Sequence, residues 1–204
     1  TEIGEIPVEW EVKKLKEVTD VRDGTHDSPT YVNSGIPFIT SKNLKESGIS
    51  YNEIKYISEQ DHYKIQQRSK VDDGDILFAM IGTIGNPVIV KKEFEFSIKN
   101  VALIKFKDSK INNVLMLNLL KSPIINKQFN NRSSGGVQKF VSLGMIRDLL
   151  VPIPPHEEQQ KIAKILSSVD TQIDEYLNKK EKFETLKKAL MQQLLTGKIR
   201  AKVD

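Results

Sequence analysis

Residues 156–196, HEEQQKIAKILSSVDTQIDEYLNKKEKFETLKKALMQQLLT, read as one uninterrupted helix with an apolar seam. Ile162, Leu166, Val169, Ile173, Tyr176, Phe183, Leu190 and Leu194 recur in steps of three and four once Lys180 and Lys187 are counted in the same row, so they share one face. In heptad terms Leu166, Ile173 and Leu194 take a, while Ile162, Val169, Tyr176, Phe183 and Leu190 take d. Pro154, Pro155, Glu157 and Glu158 mark the start of the helix; Gly197, with Lys198 and Arg200, marks its stop. Forty residues at helical rise make a rod of roughly 60 Å. A seam of that length is covered either by its own domain or by a second helix from elsewhere. No other segment of the chain carries matching periodicity, which favours another copy of the chain or another protein. Lysines at two a positions favour a short crossing or an antiparallel pairing over a long parallel zipper.

The remainder, residues 1–155, is enough for one globular domain, so the expected division is a domain over 1–155 and a helical region over 156–204. The expected class is α+β: a mixed sheet-and-helix domain followed by one coiled-coil-like helix. Of 31 basic and 27 acidic residues in a chain of net charge +4, ten and eight follow Pro155. That mild excess permits nucleic-acid binding through a local patch and does not by itself require it. The absence of cysteine excludes disulfides, thiolate metal sites and thiol catalysis. No apolar signal core opens the chain and no stretch is long enough to span a bilayer, so a cytoplasmic location is expected.

Along the domain, alternation through Trp10, Val12, Leu15 and Val18 suits a strand entering a short turn, with Trp10 as a packing anchor. A turn-rich stretch around Gly24, Pro29 and Gly35 leads to a strand at Ile36–Ile39, and a helix is expected near Ser58–Arg68. Asp72–Asp75 reads as a tight turn before a buried strand at Ile76–Met80; a calcium loop would need further spaced oxygens. A glycine-marked bend at Gly82–Pro87 precedes a strand at Val88–Val90. A strand pair falls around Phe94–Phe106, and a helix over Asn113–Lys121 ends at Ser122 and Pro123. Asn130–Gly136 reads as a polar loop, and an apolar strand in LLVPIPP enters the long helix.

The search for chemistry is negative. His26, His62 and His156 are far apart in sequence and lack metal-ligand spacing, so no metal and no cofactor is expected. GTIGNP lacks the Lys-Ser or Lys-Thr of a phosphate loop. GNPV at Gly85–Val88 lacks the second proline and the aromatic of the motif with which amino-methyltransferases hold a flipped base. No catalytic residue is assigned.

The ordered set GEIPVEW, DGTH, GIPFIT, GDILFAMIGTIG, NVALIK, GGVQKFVSL, PIPPHEEQQKIAKIL and LKKALMQQLLTGKIR resembles the DNA-specificity subunit of type I restriction-modification systems across nearly the whole chain. The resemblance implies a target-recognition domain followed by a conserved helix. In that family two such units usually lie in tandem, their helices antiparallel, and each domain reads one half of a split DNA site. This sequence has one of each, either as a natural half-subunit completed by homodimerisation or as half of a longer chain. A symmetric pair would read an inverted repeat with a fixed spacer.

The resemblance also implies that methyltransferase subunits dock on the helical region and supply the methyl-transfer chemistry, while a separate restriction motor subunit hydrolyses ATP and cleaves. Readout of double-stranded DNA then falls to polar and cationic side chains on loops. The candidates are Thr25, His26, Thr40, Ser41, Lys42 and Asn43 in a first set, and Arg132, Ser133, Ser134, Gln138 and Lys139 in a second. Lys99 and Asn100, which border an apolar strand, rank behind them. DGTH also fits a structural turn capped by Thr25 or His26. The competing function is a helix-paired adaptor that binds protein and never touches DNA.

Overall fold

A computed structural model describes residues 1, 3–82, 84–132 and 140–202. It divides into two compact units, Thr1–Ala163 and Lys164–Asp204. The first runs β1 (Glu11–Lys14), the single turn α1 (Leu15–Val18), β2 (Asp20–Asp23), β3 (Tyr31–Val32), β4 (Ile36–Thr40), a 3-10 turn (Ser41–Asn43), β5 (Leu44–Lys45), β6 (Gly48–Ile49) and β7 (Lys55–Ile57). It continues with α2 (Glu59–Ser69), β8 (Ile76–Ala79), β9 (Gly85–Ile89), β10 (Ser97–Lys99), β11 (Val101–Lys105), α3 (Asn113–Lys121), α4 (Pro123–Arg132), α5 (Leu143–Arg147) and β12 (Leu150–Ile153). The helix α6 (His156–Leu194) begins in this unit and makes up most of the second.

Two four-stranded sheets organise the first unit. One is antiparallel in the order β2-β11-β8-β9; the other runs β10-β4-β7-β3, with β10 parallel to β4. The apolar run Ile76–Ala79 is buried throughout because both faces of its sheet are covered. With side chains alternating along the strand, Ile76 and Phe78 pack with Met116, Leu120, Ile125 and Phe129 of α3 and α4. Leu77 and Ala79 face Ile39, Phe96 and Ile98 of the other sheet's side. Each fully buried side chain of this size contributes about 1.5–3 kcal/mol.

The strands around Phe94–Phe106, expected to pair with each other, do not. β10 joins β4 while β11 joins β2 and β8, because the chain changes sheets at Asn100, whose φ is 52°. At the same level β2 leaves its own sheet: Gly24 donates to the Val101 carbonyl at 2.9 Å, and Thr25 donates to the Ile98 carbonyl at 3.1 Å. α3 ends at Lys121 before Ser122 and Pro123 as expected, and Pro123 also opens α4, since the first helical position does not need a backbone N–H. Asn130–Arg132, placed in a loop from sequence, are therefore helical. The bend expected at Gly82–Pro87 gives way to β9 from Gly85, where Pro87 is tolerated on an edge strand.

The first two turns of α6 are anchored. Gln159 is 3% exposed, its amide donating to the Pro154 carbonyl at 3.0 Å and its Oε1 accepting from the Asn112 N–H at 3.0 Å. Asn112 in turn caps α3, its Oδ1 accepting from Val114 and Leu115. Trp10 is half-buried and donates from Nε1 to Glu158 at 3.0 Å.

In the second unit α6 runs on to Leu194, and the chain turns at Gly197, whose φ is 71° and whose N–H bonds the Leu194 carbonyl at 3.2 Å. Val169, Ile173, Tyr176, Phe183, Leu190 and Leu194 of the seam are exposed, between 43% and 70%. Leu177, Leu186, Met191 and Leu195 are also exposed and widen the stripe beyond the heptad row.

A Cβ at Gly24 would lie 2.4 Å from the Ile98 oxygen and 2.6 Å from its carbon, both backbone atoms held in a strand. Gly24→Ala is expected to lower stability by about 1–3 kcal/mol, the range for forced overpacking, read as a fall in the denaturant midpoint. An unchanged midpoint would show that the two sheets can separate there without cost.

Candidate nucleic-acid interface

A cleft of about 1040 Å³ lies beside the sheet change. Thr40, Ser41, Lys42 and Asn43, expected from sequence as one recognition segment, all line it, together with Lys99 and Asn100. Lys45 and Lys55 add two more cations, and Glu53 is the carboxylate among the lining residues. Lys42 and Lys45 are exposed, Lys55 sits 4.4 Å over the Tyr31 ring, and Lys99 donates to Ser28 at 2.7 Å.

Several candidates turn out to brace the walls. Asn43 is buried: its Oδ1 accepts from the Thr40 N–H and hydroxyl at 3.0 and 2.9 Å, and its amide donates to the Ser50 carbonyl at 3.1 Å. Ser41 is buried and donates to the Asn100 carbonyl at 3.0 Å. Thr25 caps the turn after it, its hydroxyl accepting from the Asp27 N–H at 3.1 Å. Arg132 is the last residue of α4, and Ser133, Ser134, Gln138 and Lys139 lie outside the described residues.

His26 is tied to the cleft through Asn100. Its Nδ1 lies 2.8 Å from Asn100 Oδ1 and its Nε2 lies 2.8 Å from Asp23 Oδ2. Asp23 is nearly buried and also binds Arg68. The hydrogen bond to Asn100, and next that to Asp23, hold the imidazole above its ordinary value of 6.5, outweighing partial desolvation and the Arg68 charge. Both ring nitrogens face oxygen acceptors, and only the cation can donate from both.

Three lining residues carry a left-handed backbone: Glu53 (54°), Asn86 (41°) and Asn100 (52°). They are the non-glycine residues with positive φ among the described residues, and such conformations gather at functional sites. Sequence reading missed Asn86, Lys45 and Lys55. The lysines sit singly on short strands and form no run, whereas an asparagine before proline after two spaced glycines did signal unusual backbone.

Elsewhere several ionisable groups have partners within the fold. Asp72 and Asp75 both bind the Lys105 ammonium at 2.8 Å, which holds the Asp72 carboxyl below its usual range. His62 lies 2.8 Å from the Ser97 hydroxyl, and burial pushes its imidazole down. His156 contacts Gln160 at 3.0 Å. Among the described residues no three His, Asp or Glu side chains are grouped to hold a metal ion, and no helix is long and apolar enough to cross a membrane.

Residues 7–185 match the family described as Type I restriction modification DNA specificity domain, and the chain belongs to that family. The type I restriction enzyme MjaVIII specificity subunit of Methanocaldococcus jannaschii is 32% identical over 209 residues, covering 99% of this chain and 49% of that protein. The MjaIX specificity subunit of the same organism is 30% identical over 201 residues, covering 94% of this chain and 44% of that protein. The chain thus spans about half the length of the curated relatives it matches. The fold is similar to the HsdS subunit from Thermoanaerobacter tengcongensis, with a TM-score of 0.64 at 18% identity, over 93% of this chain and 46% of that one. It is also similar to a chain from the type I R-M system solved for its complex assembly and conformational transition, with a TM-score of 0.68 at 19% identity, over 93% and 45%.

Because the hydrogen bonds to Asn100 and Asp23 favour the protonated ring, an NMR titration of His26 is expected to give a midpoint above 6.5, lowered by Asn100→Gly, which keeps the left-handed backbone. With the folded value raised, the contribution to stability is complete below the unfolded value and is lost as pH rises through the folded one. A wild-type midpoint at or below 6.5 would contradict the two-acceptor geometry.

Proposed function

We propose that this chain reads double-stranded DNA as the specificity component of a type I restriction-modification enzyme and performs neither methyl transfer nor cleavage itself. The observation that carries this is the cleft, where Lys42, Lys45, Lys55 and Lys99 stand against Glu53 among hydroxyl and amide side chains. Lysines of this kind neutralise phosphates and fix register, while amides and hydroxyls meet base edges. Thr25 and His26 support the wall from behind, and the stretch from Arg132 to Lys139 supplies the second set of contacts.

The apolar stripe of α6, half-buried at Ile162 and Leu166 and exposed from Val169 to Leu194, pairs antiparallel with the stripe of a second copy. A twofold pair of recognition domains then reads a bipartite inverted repeat. Methyltransferase subunits dock on the helical region, the restriction motor subunit joins through that complex, and the assembly acts on DNA in the cytoplasm. The same stripe would suit a protein adaptor, and salt separates the two: DNA affinity falls steeply with rising salt as counterions are released.

Co-expression with the cognate adenine methyltransferase subunits and sequencing of every methylated position should return one bipartite inverted-repeat motif. Two unlike half-sites would overturn the symmetric pairing, and no methylation by an assembled complex would overturn the DNA reading. Ile173→Asp, which puts a charge on the exposed stripe, should halve the mass in solution measured by light scattering. A mass equal to that of the wild type would remove α6 as the pairing surface.

A further inference from the structure

We infer that Asn100 is a base-reading side chain of the cleft, presenting its amide NH2 as a donor only, and that His26 is the positioning residue that holds it so. The inference rests on the DNA reading proposed above. Asn100 stands where the chain changes sheets, and its main chain is fully engaged: its N–H donates to the Thr25 carbonyl at 3.3 Å and its own carbonyl accepts from Ser41 at 3.0 Å. Its Oδ1 faces His26 at 2.8 Å. Its Nδ2 makes no hydrogen bond among the described residues, although the residue lines the cleft. By contrast the Asn43 amide is used on both sides within its own wall.

An unrestrained asparagine amide presents a donor and an acceptor side by side, which is why asparagine reads adenine through N6 and N7 together, and rotation of the amide lets either group face the groove. Here the imidazole, held between Asp23 and Asn100, donates to Oδ1 and blocks that rotation. What remains for a base is an N–H donor. It suits O6 or N7 of guanine, N7 of adenine and O4 of thymine, but finds no acceptor on the major-groove edge of cytosine, which carries only the N4 donor. One position of the half-site should therefore reject cytosine on the contacted strand.

The test is the methylated-motif frequency at each half-site position, using the full chain with its cognate methyltransferase subunits. Wild type should exclude cytosine at one position. Asn100→Gly, compatible with the left-handed φ of 52°, should lose discrimination there alone, by roughly ten- to a hundredfold, with the other positions kept. Asn100→Asp, nearly the same shape but acceptor-only, should turn that position toward cytosine or adenine, and it decides the matter where Asn100→Gly does not fold. His26→Ala should relax the same position by releasing the amide. An unchanged motif in Asn100→Gly, or an equal loss at every position, would overturn the assignment while leaving DNA reading in place. A wild type that yields no selective methylation would take both down.

Discussion

The close approach of the Gly24 backbone to the Ile98 carbonyl is the contact on which the rest of the recognition domain depends. Within four residues, β2 leaves the antiparallel sheet and Thr25 lies beside Lys99 of the other sheet, while β10 leaves that sheet to become β11. Two strands thus leave their sheets at one point, and Lys99 and Asn100 at that crossing line the cleft. A side chain at position 24 would force these backbones apart. Asn100 completes the crossing, because only a residue tolerant of left-handed φ can turn β10 into β11 there.

The helix shows a division of a different kind. Its first two turns bury Gln159 and Ala163, and the Gln159 amide bridges the proline lead-in to the cap of α3. Most helical stability in proteins comes from packing an amphipathic face, and a long apolar stripe left in water marks an interaction surface. The exposed stripe beyond Lys164 and the anchored first turns therefore make opposite demands on one continuous element. Lys180 and Lys187 lie within that stripe, and Lys180 is close enough to Glu184 for a weak ion pair at 3.9 Å. Charges inside an apolar seam lower its stickiness toward indiscriminate partners and restrict which pairings bury them tolerably.

Much of this was legible from residue order because it rests on local signals. Periodicity marked α6, apolar residues followed by Ser122 and Pro123 marked α3, and the apolar run Ile76–Met80 marked β8. What was not legible depends on partners distant in sequence. Nothing within Phe94–Phe106 says that its two strands belong to different sheets; that follows from pairing partners distant in sequence, Ile39 opposite Ile98 and Phe78 opposite Ala102. Ser122-Pro123 carries equally good stop and start signals, so α4 was hidden behind the end of α3. The segment Thr40–Asn43 was picked out by residue type, and the structure divides it: exposed Lys42 against buried Ser41 and Asn43, whose polar groups are hydrogen-bonded inside the wall.

That division bears on how a recognition surface is built. A polar side chain can discriminate between bases only if its geometry is set before DNA arrives, and setting it requires other polar groups to be used inside the protein. Asn43, Ser41, Thr25 and Asp23 are such groups: each bonds to backbone or side chains that line or back the cleft. Rejection is stronger than selection in this arrangement, because a mismatched base leaves a buried donor without an acceptor, whereas a correct base adds one hydrogen bond to many. A rigid frame with few unoccupied polar atoms therefore discriminates more sharply than a loop with many, and the strained backbone at Asn86 and Asn100 is consistent with residues held in place by that frame.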